Sequence, residues 1–239
     1  MTHIDGSKRI VRVDAKKFAA AAIFRCHEET RYYLNGIYVE PHHESGVIMV
    51  ATDGHRMAVI HDPTGYANAP FICKASPRFY AACARRGAKR DQLKRPGQVQ
   101  FIGRTAYLTC EGFDDDVSII GVTHLEIEYA PEIDGTYPNW RRVMPMIKDD
   151  ATCAAPRFGV NAAYVADFAT ALTIISGMKT AIVTMTVDSD AEFVGSPIAV
   201  TSNGVPEFFG VLMPARADLC PPRPAWLTLP APQKNEAAE

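Results

Sequence analysis

The chain has 239 residues and a mass of 26.2 kDa; 47% of its residues are hydrophobic and 22% are charged. These proportions are typical of a soluble globular protein, and the length is sufficient for two domains. Its 25 Lys and Arg residues oppose 27 Asp and Glu residues, giving a net charge of −2. That balance excludes a uniformly basic nucleic-acid binder but is compatible with one basic face.

The longest apolar run, residues 18–24, is far shorter than the ~20 residues needed to span a bilayer. Since no cleavage-like segment follows it, we expect a cytoplasmic protein that is neither exported nor inserted in a membrane. The cysteines lack the close spacing of zinc or dithiol motifs. Their even number permits disulfides, but without a secretory signal we expect reduced, mostly buried thiols at Cys26, Cys73, Cys83, Cys110, Cys153 and Cys220.

The sequence predicts three units, each with one helix and several strands. In the first, a strand at 10–13 precedes a helix from residue 15 to about 25 that Asp14 can cap. Strands are then predicted at 32–40 and 47–60, the second broken by a turn at Asp53-Gly54. In the second unit, a strand at 71–73 precedes a helix from Pro77 to about residue 86, capped by Ser76. Its strands are predicted at 99–102, 105–110, 117–122 and 125–129.

The third unit begins with a strand at 157–160 and continues with a helix from about 162 to 175. Strands near 181–187, 198–202 and 208–212 complete it. Residues 217–239 contain five prolines and end in polar residues, so we expect an extended, flexible tail. Such repetition of one supersecondary unit is itself an indication of a repeated architecture.

Charge is segregated along the chain. Residues 74–95 carry eight basic residues and one acid, whereas residues 111–134 carry eight acids and no Lys or Arg. Because Glu126 and Glu128 alternate with apolar residues, we expect them on the solvated face of a sheet. The pattern predicts basic helices that meet a polyanion and acidic sheets that face solvent, although an ordinary solvated helix face remains the alternative.

Four stretches resemble a known family. Residues 30–37 (TRYYLNGI) and 50–59 (VATDGHRMAV) are similar to the central domain of the bacterial DNA polymerase III beta subunit, the sliding clamp. Residues 133–145 (IDGTYPNWRRVMP) resemble the segment that closes that domain, and residues 211–216 (VLMPAR) resemble the C-terminal strand. The stretches follow the family's order, and the resemblance covers about residues 8–216.

The resemblance implies an α+β DNA-clamp fold, with helices on the inner face of a ring and antiparallel sheets outside. It also implies a replication processivity factor that slides on duplex DNA through non-specific phosphate contacts and forms oligomers. The third helix lacks Lys and Arg, so we expect it to contribute little. The candidates for the DNA-facing surface are Lys16, Lys17, Arg78, Arg85, Arg86 and Lys89.

The family's second site is a hydrophobic pocket for short peptide motifs of polymerases and repair proteins. Apolar side chains would supply its floor, Gly54 would allow close backbone approach, and His55 and Arg56 would form a polar rim. Without the family match, the same residues would be read as a hairpin turn with core methionines. The matching positions are Leu34, Thr52, Gly54, His55, Arg56, Met57, Pro145, Val211, Leu212, Met213, Pro214 and Arg216.

The chain departs from the family in its number of units. A clamp protomer has three domains of two units each, whereas this sequence shows three units in all. We expect a complete central-type domain at 8–145, a half domain of the C-terminal type at 146–216 and the tail at 217–239. The half domain would expose a helix and sheet edges unless a partner covers them, and the half domain of a second copy is one such partner.

Catalysis is not expected. Asp53 and His55 flank a turn and lack an accompanying nucleophile motif, and the sequence has no phosphate-binding glycine loop. We also expect no cofactor and no metal, since His42-His43-Glu44 has no further ligand at useful spacing. The alternative function is a clamp-like adaptor that binds clamp-interacting peptides without encircling DNA.

Overall fold

The structure is a computed structural model, and it describes residues 9–85, 95–110, 124–145, 159–187 and 196–215. The first unit comprises β1 (Ile10–Asp14), α1 (Ala15–Ala22), β2 (Ile37–Pro41), β3 (Val47–Thr52) and β4 (Arg56–Asp62), followed by the short β5 (Tyr66–Ala67). The second comprises β6 (Phe71–Cys73), α2 (Pro77–Cys83), β7 (Pro96–Ile102), β8 (Thr105–Cys110) and β9 (His124–Tyr129). The third comprises α3 (Ala162–Ser176), β10 (Thr184–Val187), β11 (Ile198–Thr201) and β12 (Phe208–Leu212).

Two antiparallel sheets form the outer layer. The five-stranded sheet has the order β5-β1-β7-β8-β9, and the seven-stranded sheet has the order β10-β11-β12-β4-β3-β2-β6. The first two units exchange strands, because β1 pairs with β7 and β6 pairs with β2. The third unit extends the first through the antiparallel pairing of β12 with β4. This α+β arrangement of helices and antiparallel sheets agrees with the expected fold class.

Helix α1 lies between the other two helices and is almost entirely buried. The ring of Phe18 packs 5.4 Å from that of Tyr80 on α2, and the ring of Phe24 packs 4.9 Å from that of Phe168 on α3. Its run of alanines permits this close packing on both flanks, since small side chains let neighbouring elements approach closely. The hydrophobic core therefore runs through all three units.

The predicted helix starts are confirmed. Asp14, Ser76 and Asn161 each accept a hydrogen bond from a backbone N–H of the first turn, and Gly177 ends α3 in the left-handed conformation with φ of 69°. The predicted start of the second strand is wrong. Residues Glu29–Leu34 form a 3-10 helix, and the strand begins only at Ile37.

The expectation that Glu126 and Glu128 face solvent on the sheet is also wrong. Glu128 accepts hydrogen bonds from the backbone N–H of Ser76 at 2.7 Å and from its hydroxyl at 2.5 Å, at the start of α2. Since side chains alternate along a strand, Ile127 and Tyr129 take the outer face, where they are 57% and 70% exposed. The hydrogen bonds to α2 determine which face the glutamates occupy.

Several expectations lie outside the described residues: the strand at 117–122, the strand start at 157–158, the tail, and two cysteines, Cys153 and Cys220. The division into domains likewise stays a prediction. Cys26, Cys73 and Cys83 are free, buried thiols, and Cys110 is buried. None of the described helices is both long and apolar enough to cross a membrane.

Candidate functional site

The candidate pocket lies at the seam where the third unit joins the first. The pairing of β4 with β12 places Met57 opposite Val211 and Arg56 opposite Leu212. Because opposite residues in an antiparallel pair share a face, Met57 and Val211 point to the outer face of the sheet. Arg56 and Leu212 point to the helix side.

An apolar cluster on this outer face contains three of the predicted pocket residues, Leu34, Met57 and Val211. Met213 stands at its margin, 36% exposed, and its backbone N–H donates to the His55 carbonyl at 2.9 Å. Pro145 is half-buried and follows Met144, which packs against the cluster. These side chains form an apolar floor with an accessible methionine beside it.

The turn before β4 is fixed by its own side chains. The Thr52 hydroxyl donates to the Arg56 carbonyl at 2.7 Å and accepts from the Gly54 N–H at 3.0 Å. Gly54 has a φ of +91°, which a side chain would strain. Asp53 accepts from the N–H groups of His55 and Arg56. Asp53 therefore organises the turn, and its carboxylate holds backbone amides rather than the His55 ring.

Two of the predicted pocket residues serve packing on the other face. Leu212 is fully buried in the main core. Arg56 is 11% exposed, forms ion pairs with Asp53 and Asp167, and stacks over the ring of Tyr164 at 4.6 Å. The strand alternation that brings Met57 to the pocket directs Arg56 away from it. Pro214 is half-buried, and Arg216 lies outside the described residues.

The sequence interpretation missed the aromatic residues that line this cluster. Tyr137 stacks on Tyr38 with ring centroids 4.8 Å apart, and its hydroxyl donates to the Val50 carbonyl at 3.4 Å. Burial raises the pKa of the Tyr137 phenol, so this hydroxyl stays protonated. Trp140 also packs against the cluster. The segment 133–145 could have indicated them, since it contains Tyr137 and Trp140, but the sequence interpretation used it only for the resemblance.

A cavity of about 540 Å³ opens on the same outer face, displaced along the strands from the predicted pocket. Val59 and Phe209 line it and also belong to, or pack against, the apolar cluster. His61 and Glu207 stand at its polar side. The outer face thus carries a continuous apolar strip from Met57 to this cavity.

The predicted DNA-facing residues differ in how far their charges are exposed to solvent. Lys17 is 13% exposed at its side chain, lies 3.7 Å from the carboxylates of Asp62 and Glu207, and donates to the His61 carbonyl at 3.2 Å. Its charge is thus compensated within the fold. Lys16 is half-buried on α1.

The basic residues of the second unit are more accessible. Arg78 is 83% exposed and pairs with Glu126 at 3.3 Å, and Arg85 is exposed. Arg86 and Lys89 lie outside the described residues. Among the described residues, no group of three or more His, Cys, Asp or Glu side chains could hold a metal ion.

Comparisons with known proteins agree on one family. A family model described as the central domain of the DNA polymerase III beta subunit matches residues 12–68, which correspond to the first unit. A beta sliding clamp from Caulobacter vibrioides is 33% identical over 152 residues, covering 59% of this chain and 34% of the relative. The chain therefore spans about a third of the length of its curated relatives.

Solved structures support the fold. The fold is similar to that of the DNA polymerase III subunit beta of Borrelia burgdorferi, solved in complex with a natural product, with a TM-score of 0.56 at 16% identity. The matched region covers 86% of this chain and 62% of the Borrelia chain. It is also similar to that of the sliding clamp of Bartonella birtlesii, solved bound to griselimycin, with a TM-score of 0.56 at 18% identity. Here the matched region covers 88% of this chain and 66% of the Bartonella chain. The resemblance read from the sequence is confirmed: the first unit is similar to the central domain of the bacterial DNA polymerase III beta subunit, and the fold is similar to that of sliding clamps.

Proposed function

We propose that the chain is a clamp-type tether that holds peptide-bearing replication or repair proteins on duplex DNA. The observation that carries this proposal is the pairing of β4 with β12, which sets Met57 beside Val211 in one apolar cluster with Leu34. A preformed apolar floor with an accessible methionine suits varied short peptides, because Met side chains adapt to different partners. This role is binding, and no catalytic step is invoked.

The DNA-binding part of the proposal rests on the basic residues of the helix side. Arg78 and Arg85 are the accessible members of that group, together with the half-buried Lys16. Contacts of this kind neutralise phosphates without distinguishing bases, so the association would depend on salt and not on sequence. We further propose that the tether works as a homo-oligomer.

The second candidate is an adaptor that binds the same peptides without holding DNA. The ion pairs of Lys17 with Asp62 and Glu207 favour the adaptor. One of the six residues predicted to contact phosphates already has its charge compensated within the protein. A helix α3 without Lys or Arg favours it as well.

One experiment separates the two candidates. A fluorescent synthetic peptide with two or three apolar anchors is mixed with the full chain and with immobilised duplex at low salt. A tether retains the peptide on the duplex only when the chain is present, and added salt releases both. An adaptor binds the peptide in solution and leaves the duplex bare, and absence of peptide binding in solution contradicts both candidates.

A further inference from the structure

The cavity beside the predicted pocket is lined by β3, β4, β12, the end of β11 and the turn between β11 and β12. We propose that it is a second binding site for the peptide of the proposed function, and that it receives one apolar side chain followed by a basic one. The inference rests on the proposed function, because it concerns residues of the same peptide beyond its anchors in the pocket. With about 540 Å³, the cavity lies within the ~300–1,000 Å³ range of ligand sites.

The strand register aligns the cavity with the pocket. Met57 faces Val211 in the pairing of β4 with β12. Two residues further along the strands, Val59 faces Phe209. Since a strand rises ~3.4 Å per residue and alternates its side chains, the second pair lies ~7 Å from the first on the same face. An extended peptide has the same rise and alternation, so a side chain two residues beyond an anchor over Met57 would stand over Val59 and Phe209.

The floor of the cavity is apolar and already assembled. Val59 is buried, and Ile48 and Phe209 lie partly buried beside it. The turn that walls the cavity is held by the Phe208 N–H, which donates to the Val205 carbonyl at 3.1 Å. A preformed apolar site binds a ligand without the cost of ordering the protein. The cavity therefore suits one further apolar side chain of the peptide.

The end of the cavity away from the pocket carries a net negative charge. The His61 N–H donates to the Glu207 carbonyl at 2.9 Å, so these two residues lie one further pair along the strands. The Lys17 ammonium is 3.7 Å from the carboxylates of both Glu207 and Asp62, so that one positive charge is shared between two negative ones. The Glu207 side chain is 31% exposed and lines the cavity. A cation of the ligand complements this charge.

His61 adds a neutral acceptor at the same end. Its Nε2 lies 3.0 Å from the Ser45 carbonyl, and its ring packs 4.7 Å from that of His42. When Nε2–H donates to that carbonyl, the neutral ring keeps Nδ1 as an acceptor. An ammonium or guanidinium group can use this acceptor and the Glu207 carboxylate. A carboxylate of the ligand would instead meet Glu207 as a like charge.

These spacings give the sequence pattern of the peptide. The apolar side chain lies two residues beyond the last anchor, over Val59 and Phe209. The basic side chain lies four residues beyond it, beside His61 and Glu207. The strands fix the spacing and leave the direction of the peptide open, so the pattern applies to an extension at one of its two ends.

The test compares synthetic peptides by fluorescence anisotropy against the full chain. The core peptide has the two or three apolar anchors, and two longer peptides add Ser-Leu-Ser-Lys at its carboxyl end or Lys-Ser-Leu-Ser at its amino end. One of the longer peptides should bind about tenfold more tightly than the core, because it buries one more apolar side chain. Serine in place of the added leucine should remove most of this gain, and glutamate in place of the added lysine should reduce it.

A variant of the chain locates the gain in the cavity. Thr201 is a partly buried residue that lines the cavity, and Thr201→Trp fills this space from the end of β11. It should abolish the advantage of the longer peptide and leave the affinity for the core peptide unchanged. The matched control is Thr105→Trp, at a partly buried position of the five-stranded sheet, which should keep the full advantage. Circular dichroism compares the folds of both variants with the parent.

Three results would overturn the proposal although the core peptide binds. Neither longer peptide gains affinity, the serine-substituted peptide gains as much as the leucine peptide, or a folded Thr201→Trp variant keeps the advantage. A parent chain that does not bind even the core peptide would contradict the proposed function and this inference together, which distinguishes the two failures.

Discussion

Arg56 in β4 and Asp167 in α3 form an ion pair across the seam between the first and third units. The guanidinium also pairs with Asp53 at 3.1 Å, donates to the Ile23 carbonyl at 3.2 Å and stacks over Phe24 and Tyr164. One residue next to the pocket therefore connects the turn before β4, the end of α1 and the side of α3. The geometry of the pocket depends on this connection because Val211 reaches Met57 only when the third unit is docked.

Replacing Arg56 with alanine should lower the free energy of unfolding by about 1–3 kcal/mol, because it leaves the partly buried carboxylates of Asp53 and Asp167 without their cation. Urea unfolding of the variant measures the change. The control is Arg141→Ala, which breaks a 2.5 Å contact with Glu40 at a side chain that is 59% exposed. That loss should stay below about 1 kcal/mol. Equal losses in the two variants would contradict the role given to Arg56.

Gly210→Ala should loosen the docking of α3. A Cβ at position 210 would lie 2.4 Å from the Phe168 ring, which is fully buried and cannot move aside. Overpacking of this kind costs about 1–3 kcal/mol. Gly204→Ala is the matched control, because its Cβ would meet the flexible end of Met178 at 2.9 Å and the Ser202 hydroxyl at an ordinary 4.0 Å. The prediction is wrong if urea unfolding shows the control to be the less stable variant.

Reversing the accessible basic residues should weaken DNA association. The variant Arg78→Glu with Arg85→Glu should raise the dissociation constant for a random duplex and reduce the steepness of its salt dependence. Fluorescence anisotropy at several salt concentrations measures both quantities. Lys17→Gln, at a position whose charge is compensated within the fold, should change DNA affinity less than the double reversal. A parent chain without DNA affinity at low salt would leave only the adaptor.

The stability of the fold should fall as the pH rises above about 9. Burial raises the pKa values of Cys73 and Tyr80 to about 12. The ordinary values are 9.0 and 10.0, so these groups lose protons in the unfolded chain at a lower pH than in the folded one. The unfolded state then binds fewer protons, and the free energy of unfolding declines with pH. Urea midpoints measured from pH 7 to 11 should decrease, with a shallower decrease in Cys73→Ala; a flat profile contradicts the assignment.

Local chemistry made much of the fold predictable. Asp14 and Ser76 predict helix starts because their side chains cap free N–H groups. The short apolar run of residues 57–60 predicts the buried strand β4. The face of β9 was not predictable in this way. The alternation of the sequence shows that Glu128 and Ile127 lie on opposite faces of the strand. Which of the two faces solvent is decided by the packing of α2.

The candidate pocket was also predictable only in part, because long-range packing decides which face each residue occupies. The family match supplied Leu34, Met57 and Val211, which do lie together. It could not show that Arg56 and Leu212 turn to the helix side, because that depends on the register of two strands about 150 residues apart in the chain. The compensation of Lys17 by Glu207 has the same long-range origin.

Peptide binding at the seam is the most direct test of the proposed function. A labelled synthetic peptide with two or three apolar anchors is titrated by anisotropy against the parent chain. The double variant Leu34→Ala with Met213→Ala should lose about 1–3 kcal/mol, which is roughly 5- to 150-fold in affinity. Ile127→Ala, an exposed apolar residue on the other sheet, should bind like the parent. Unchanged affinity in the double variant, or no binding by the parent, would contradict a peptide pocket at this seam.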